Sequence, residues 1–328
     1  MKPRVFLTRK VPQAAMDYLA ARVDLKVYPG DLPVPRPLLL REARKAQGLI
    51  SLLTERVDGE LLDHAPGLKV VANYAVGFDN VDLGAATERG VPVTNTPEVL
   101  TETTADMAWT LMMAVARRMV EGDAFVRSGR WETWKPTFML GRDVHGKTLG
   151  IVGMGRIGRA MARRAQGFGM KVLYTDIVAL PAAEERRLGA KRVSLPQLLR
   201  QSDFVTLHTV LTPETRHLIG AREFSLMKPT AILINASRGP VVDERALVRA
   251  LRSGQIAGAG LDVFEREPRT APGLASLKNV VLQPHAASGT LETRTAMGMV
   301  AVRNCLAALA GRRPPNLVNP EVWPKRRR

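Results

Sequence analysis

GMGRIG at residues 153–158 lies between an apolar stretch, residues 148–152, and a segment with helical character. A second apolar stretch, residues 172–175, ends at Asp176, which stands 18 positions after Gly158. Strand, glycine turn, helix, strand and acid, in this order, are the layout of a dinucleotide-binding βαβ unit. The stretch therefore predicts a parallel sheet covered by helices, with a dinucleotide site at the turn.

The residue types of this turn match the needs of a bound pyrophosphate. Gly153 permits the tight turn, Gly155 allows the backbone to approach the pyrophosphate, and Gly158 allows close packing of helix on strand. The first helical turn offers free N–H groups and the positive end of the helix dipole. We therefore expect the pyrophosphate at the N-terminus of this helix.

Asp176 bears on the choice between the two nicotinamide cofactors. A carboxylate at this position accepts hydrogen bonds from ribose hydroxyls and repels a 2′-phosphate. The sequence therefore predicts that NAD(H) is preferred. NADP(H) stays possible, since Arg156, Arg186 or Arg187 could fold back and supply positive charge.

Similar alternation of short apolar stretches and helical patterns fills the rest of the chain. A length of 328 residues suggests about two domains. Strand-like and helical segments alternate both before residue 100 and after the glycine turn. We predict an α/β fold of two Rossmann-like or flavodoxin-like parallel-sheet domains. One amphipathic helix, residues 103–127, should connect them.

Charge and composition exclude several classes of protein. Basic residues outnumber acidic ones, 48 to 31, but aromatic residues make up only 5% and no nucleic-acid-binding motif is found. We interpret the net charge of +17 as a solvated arginine-rich surface whose field attracts anionic substrates and cofactors. Nucleic acid is not expected as a partner.

The location of the protein is predicted from its apolar residues and its one cysteine. No stretch approaches the ~18 apolar residues of a membrane helix. Cys305, the single cysteine, excludes an intramolecular disulfide and has the context of a core residue. Histidines and carboxylates lack metal-ligand spacing. We expect a cytoplasmic protein with no metal and no membrane association.

Five stretches in one order resemble a known family over essentially the whole chain. They are YAVGFD at 74–79, GIVGMGRIG at 150–158, INASRG at 234–239, GLDVFEREP at 260–268 and QPHAAS at 283–288. Together they resemble the D-2-hydroxyacid dehydrogenases. Within that family, WETWKP at 131–136 is similar to the glyoxylate/hydroxypyruvate reductases. The 2-ketogluconate reductases are a close alternative.

This resemblance implies a particular domain organisation and reaction. Residues 1–100 plus 285–328 would form the substrate (catalytic) domain, residues 101–284 the dinucleotide-binding domain, and the cleft between them the active site. The reaction would be reduction of a small anionic 2-keto acid, glyoxylate or hydroxypyruvate, to the D-2-hydroxy acid. The resemblance also implies a homodimer that buries residues around 101–140 between its subunits.

Three residues are the candidates for catalysis. Arg238 has the fork of donors that binds a carboxylate, and His285 carries an imidazole, the side-chain group that most often serves as a general acid or base. By resemblance, His285 donates a proton to the ketone oxygen as hydride arrives, and Glu267 orients it. Glu265 competes with Glu267 for that role. Glu267 is favoured because it directly precedes Pro268, as in the family motif.

The resemblance also implies further contacts, and for the glycine turn and Asp176 it agrees with what the residues themselves predict. Substrate contacts are implied for Leu53, Val76, Gly77, Ser288 and Trp134. Trp134 would reach the pocket of a partner subunit, or serve only as an interface anchor. Cofactor contacts are implied for Gly153, Gly155, Arg156, Ile157, Gly158, Asp176, Thr209, Thr215, Ala236, Ser237, Asp262 and Ala287.

A function of a different class is also open. Some relatives of this fold are NAD-sensing corepressors, which bind the dinucleotide without turning it over. The complete set of Arg238, Glu267 and His285 favours the enzyme.

Overall fold

The alternating segments of the chain form two parallel β-sheets in the computed structural model. The structure describes residues 2–327, so Met1 and Arg328 lie outside it. Every strand pair within the two sheets is parallel. The predicted α/β fold with two parallel sheets is thereby confirmed.

The first sheet has five strands in the order β2-β1-β3-β4-β5. These strands are β1 Arg4–Leu7, β2 Asp24–Val27, β3 Gly48–Ser51, β4 Val70–Asn73 and β5 Val93–Thr94. The second sheet has seven strands in the order β12-β11-β10-β9-β6-β7-β8. They are β6 Thr148–Val152, β7 Lys171–Thr175, β8 Ala190–Arg192, β9 Phe204–Leu207, β10 Ile232–Asn235, β11 Gly258–Leu261 and β12 Val280–Leu282.

Helices connect the strands, as parallel pairing requires. Those up to the start of the second sheet are α1 Gln13–Ala20, α2 Arg36–Ala43, α3 Gly59–His64, α4 Leu83–Glu88, α5 Thr101–Ala116 and α6 Met119–Arg127. The later ones are α7 Arg156–Gly167, α8 Ala182–Leu188, α9 Leu195–Gln201, α10 Ala221–Leu226, α11 Glu244–Arg252 and α12 Leu291–Leu309. Short 3₁₀ turns occupy Gly239–Val241 and Pro320–Lys325. No helix within residues 2–327 is long and apolar enough to cross a bilayer.

Apolar residues on both faces of each central strand explain why these segments are strands. In β10, Ile232 and Ile234 enter one core cluster and Leu233 enters the other. Strands buried on both faces are expected of parallel sheets. Cys305 of α12 is fully buried against β3, a strand of the first sheet. This burial raises the pKa of the Cys305 thiol to about 12.

The predicted single helix over residues 103–127 is wrong, because the chain breaks between α5 and α6. Arg118 adopts a left-handed conformation with φ 53°, which a right-handed helix cannot include. The carbonyl of Ala116, near the end of α5, accepts a hydrogen bond of 2.7 Å from the N–H of Arg142. The segment at Arg142 therefore caps α5, and α6 begins as a separate helix.

The chain divides into two compact units. One contains the residues up to Leu100 and those from Gly289 onward, and the other is Thr101–Ser288. The sequence placed residues 285–288 with the first unit, and the structure places them with the second. The reason is Asp262, which holds the N–H groups of His285, Ala286 and Ala287.

Candidate active site

The three candidate catalytic residues follow three neighbouring strands of the seven-stranded sheet. Arg238 follows β10, Glu267 follows β11, and His285 follows β12. Parallel strands end at one edge of a sheet, and ligands of open α/β sheets bind beyond that edge. The fold therefore brings the three loops together.

Glu267 and His285 form a hydrogen-bonded pair. Oε2 of Glu267 lies 2.8 Å from Nδ1 of His285, and Oε1 accepts the N–H of Phe264 at 3.0 Å. Burial acts to raise the pKa of Glu267, but the hydrogen bond and charge of His285, together with the N–H of Phe264 and the charge of Arg238, hold this pKa below its usual value. Glu267 is thus held as a carboxylate, and Nε2 is the ring nitrogen that remains for a substrate.

Asp262 positions the loop that carries His285. Its two carboxylate oxygens accept the N–H groups of Ala286 and Ala287 at 2.7 and 2.9 Å, and its carbonyl accepts the N–H of His285 at 2.8 Å. The side chain is fully buried, and burial raises its pKa although these hydrogen bonds act in the opposite direction. A contact between Asp262 and the cofactor stays a prediction.

Asn235 and Gly239 shape the loop of Arg238. Nδ2 of Asn235 donates to the Arg238 carbonyl at 3.0 Å, and Oδ1 accepts both the N–H and the hydroxyl of Ser237. A Cβ on Gly239 would lie 1.9 Å from the carbonyl of Phe264. Only glycine allows this loop to approach the loop that carries Glu267.

Glu265, the competitor of Glu267, belongs to a second pair. Its Oε1 lies 2.8 Å from Nε2 of His217, and Arg216 is 3.5 Å away. The two glutamates therefore serve different histidines, and only Glu267 contacts His285.

The outer glycines of the turn are required by close backbone contacts. Gly153 has φ 93°, and a Cβ on it would lie 2.7 Å from the carbonyl of His208. A Cβ on Gly158 would lie 2.2 Å from the carbonyl oxygen of Gly153. These glycines hold β6, β9 and α7 together.

Gly155 differs from its two neighbours. It precedes α7 with an extended backbone, φ −70° and ψ −160°, and apart from its neighbours in the chain no atom of residues 2–327 lies within 4 Å of where its Cβ would be. Its lack of a side chain therefore leaves space for a ligand at the N-terminus of α7, a helix that begins with Arg156 and Ile157. A pyrophosphate fits this open space, because the helix N-terminus favours an anion.

Asp176 binds backbone groups on both sides of it. Oδ2 accepts the N–H of Met154 at 2.6 Å, and Oδ1 accepts the N–H of Val178 at 3.0 Å. The carboxylate therefore fixes the glycine turn as well as standing where a ribose is expected. Arg192, which ends β8, donates to the carbonyl of Asp176 at 2.8 Å, a cation that sequence spacing did not reveal.

Polar atoms without partners lie next to the glycine turn. Nδ1 of His208 and Oγ1 of Thr209 are buried and have no hydrogen-bond partner among the described residues. Part of His208 reaches the surface, but its ring is enclosed, and burial lowers its pKa to about 3. His208 is thus neutral near pH 7 and unsuited to be the acid. Thr215, by contrast, donates its hydroxyl to the carbonyl of Val210 at 2.7 Å.

The remaining candidate residues differ in exposure and location. Ala236, Ser237 and Ala287 are buried at the ends of their strands, and Ser288 is half-buried. Leu53 follows β3, and Val76 and Gly77 follow β4, all three at the carboxyl edge of the five-stranded sheet. Trp134 lies in a segment without helix or strand and is 76% exposed. No group of metal-ligating side chains occurs within residues 2–327.

Residues 109–287 match the family model described as D-isomer specific 2-hydroxyacid dehydrogenase, NAD binding domain. The chain is 53% identical over 326 residues to a glyoxylate reductase of Thermococcus gammatolerans, covering 98% of this chain and 97% of that protein. It is 49% identical over 326 residues to a glyoxylate reductase of Pyrococcus furiosus, with coverage of 98% and 97%.

Solved structures show the same similarity. A protein of Thermus thermophilus superimposes with a TM-score of 0.91 at 49% identity, covering 96% of this chain and 99% of that one. The NADPH-dependent glyoxylate/hydroxypyruvate reductase of Sinorhizobium meliloti, in complex with NADP and malonate, superimposes with a TM-score of 0.87 at 34% identity. Coverage is 100% of this chain and 99% of that chain.

Gly155→Ala should affect mainly the binding of NADH, whereas Gly158→Ala should affect mainly the stability of the fold. The first places a methyl group where no protein atom lies, so it should weaken NADH binding by about 1–3 kcal/mol and leave the free energy of unfolding nearly unchanged. The second clashes with the backbone and should cost about 1–3 kcal/mol of unfolding free energy. Fluorescence titration with NADH and urea unfolding measure the two quantities. Unimpaired NADH binding by Gly155→Ala would contradict this assignment.

Proposed function

The chain belongs to the family of D-isomer specific 2-hydroxyacid dehydrogenases, and we propose that it reduces glyoxylate or hydroxypyruvate to the D-2-hydroxy acid. The observation that carries the proposal is the pair of His285 and Glu267 beside the loop of Arg238, at the ends of adjacent strands. The names of the relatives at about 50% identity support the choice of substrate.

The residues divide the chemical work as follows. When bound, the nicotinamide cofactor supplies the hydride that reduces the carbonyl carbon. His285 holds a proton at Nε2 and gives it to the carbonyl oxygen, which becomes the hydroxyl. Glu267 binds Nδ1, fixing the ring orientation and stabilising the imidazolium before transfer. Arg238 binds the carboxylate and so orients the ketone.

The other substrate contacts are proposed on the resemblance and the placement of their loops. The N–H groups of Val76 and Gly77 bind the carboxylate, Leu53 lines the pocket, and Ser288 contacts the substrate. Thr101–Ser288 is the dinucleotide-binding unit in this proposal, and the matched family model for residues 109–287 supports it. A cytoplasmic location stays a prediction.

His285→Ala should lower kcat for glyoxylate by on the order of 10²–10⁴-fold with little change in NADH affinity, the range for loss of a general acid. His217→Ala is the matched control, because it also removes a histidine paired with a glutamate, and it should keep near-normal kcat. NADH oxidation with glyoxylate, hydroxypyruvate and 2-ketogluconate provides the assay. Near-normal turnover by His285→Ala would end the assignment.

The unmodified protein distinguishes the alternative functions. If it binds NADH but turns over no keto acid, the corepressor-like function is favoured. If it strongly prefers 2-ketogluconate, it is a 2-ketogluconate reductase.

For the cofactor, we propose a preference for NADH over NADPH. Support comes from the carboxylate of Asp176 at the end of β7, which accepts ribose hydrogen bonds and repels a 2′-phosphate. The guanidinium of Arg192 at the same turn acts in the opposite direction, because it attracts a phosphate. The NADPH-dependent relative, which was solved with NADP, shows that a protein of this fold can bind the phosphorylated cofactor.

The unmodified protein should prefer NADH in kcat/KM by about 1–3 kcal/mol. Asp176→Ala should narrow this preference by weakening NADH more than NADPH. Asp176→Asn is the control for the glycine turn, because its amide oxygen still accepts the Met154 N–H while the charge and the bond to the Val178 N–H are lost. Parallel assays with both cofactors give the ratio. A higher kcat/KM for NADPH in the unmodified protein would refute the role given to Asp176.

We further propose a homodimer that buries the surface formed by α6 and the segment after it. Large apolar side chains are exposed there: Met119, Val120, Val126, Trp131, Trp134, Phe138 and Leu140. An exposed apolar surface of this kind is typical of an interface. Helix α5 is packed against β10 and β11 in its own unit, so the interface centres on residues 119–140. Trp134 either contacts the partner's substrate or anchors the interface.

Light scattering should give the mass of a dimer, and Leu140→Asp should shift it toward monomer, because a charge in an apolar interface is costly. Leu32→Asp is the matched control, since Leu32 is also an exposed leucine, 76% against 63% for Leu140, and lies in the other unit. A fully active monomer at nanomolar concentration would refute the dimer and remove Trp134 from the substrate site.

A further inference from the structure

In the turn after β4, the carbonyls of two consecutive peptide groups both accept hydrogen bonds from residues that follow β5. The carbonyl of Ala75 accepts the N–H of Thr96 at 2.8 Å. The carbonyl of Val76 accepts Nδ2 of Asn95, also at 2.8 Å. Asn95 and Thr96 directly follow β5, the strand that pairs with β4.

These two bonds fix the direction of the N–H groups of Val76 and Gly77. Both peptides are trans, and a planar trans peptide points its N–H opposite to its C=O. The N–H groups of Val76 and Gly77 therefore point away from Asn95 and Thr96. Among residues 2–327 neither N–H has a hydrogen-bond acceptor. The turn thus offers two adjacent donors with fixed directions.

Asn95 is itself held in place. Its carbonyl accepts Nδ2 of Asn304 at 3.0 Å, and its N–H donates to the carbonyl of Asn316 at 3.2 Å. Asn304 is fully buried in α12. The amide that binds Val76 therefore extends from a backbone fixed on two sides, as a positioning group requires.

We propose that Asn95 is a positioning residue for substrate binding: its amide holds the Val76 carbonyl so that the Gly77 N–H faces the carboxylate of the 2-keto acid. The inference rests on the proposed function, which binds the carboxylate at this turn. The backbone N–H of Thr96 holds the Ala75 carbonyl in the same way and so orients the Val76 N–H. A substitution can remove the side-chain amide of Asn95 but not the backbone N–H of Thr96. Without its amide, the peptide between Val76 and Gly77 is free to rotate, and the carboxylate loses an oriented donor.

Asn95→Ala tests this role. We expect KM for glyoxylate to rise by on the order of tenfold, the effect of weakening one hydrogen bond to a charged group, with kcat changed much less. The dissociation constant of NADH should not change. Oxalate, a dicarboxylate that resembles the substrate, should bind the NADH complex about tenfold more weakly when titrated by fluorescence.

Asn319→Ala is the matched control. Asn319 is a buried asparagine that also binds the chain at β5, through the N–H of Val93 and the carbonyl of Val91, but it does not contact the turn. It should lower the melting temperature and leave KM and oxalate affinity unchanged. Asn95→Gln, which keeps an amide at longer reach, should recover part of the affinity.

The outcomes separate this inference from the proposed function. If the unmodified protein does not turn over any keto acid, the proposed function fails, and oxalate binding alone decides the role of Asn95. If the unmodified protein is active and Asn95→Ala keeps KM and oxalate affinity within twofold, the inference is overturned. Equal losses in Asn95→Ala and Asn319→Ala would also overturn it, because they would reflect loosening of β5.

Discussion

Parallel strand pairing is the constraint on which the candidate site depends. It sends the carboxyl end of each strand to the same edge of its sheet and leaves the loops there to carry chemistry. In the seven-stranded sheet, that edge holds the glycine turn after β6, Asp176 after β7, and the catalytic candidates after β10, β11 and β12. In the five-stranded sheet, the same edge holds Leu53, the turn of Val76 and Gly77, and Asn95.

Loops at such an edge need hydrogen bonds that hold them in place, and in several of these loops a side chain binds backbone groups. Asp262 holds the loop of His285, Asn235 holds the loop of Arg238, and Asp176 holds the glycine turn. Asn95 does the same for Val76. Each is a short carboxylate or amide at or just beyond the end of a strand, where backbone groups leave the sheet ladder and need new partners.

Prediction from sequence was most successful where one local stretch carries the whole signal. The glycine turn, the apolar strands and the order of the motifs predicted the fold and the family, because these depend on residue type and spacing. It failed at residues 103–127, where an apolar period of four continues through Arg118. That residue is left-handed, and next to it the N–H of Arg142, which is distant in sequence, binds the end of α5. Helix α3 and strand β8 are too short to show a period of their own.

The sequence by itself determined the parallel α/β architecture and predicted the dinucleotide turn, because glycine spacing and apolar alternation are local properties. Its resemblance to a known family named the candidates Arg238, Glu267 and His285. Only the tertiary structure decided that Glu265 pairs with His217, a contact that the sequence did not indicate. The pairing of Glu267 with His285 was already expected from the family motif. The tertiary structure also brought Arg192 to the turn of Asp176 and Asn95 to the carbonyl of Val76. These contacts arise between neighbouring strands far apart in sequence, and strand order is a property of the folded sheet.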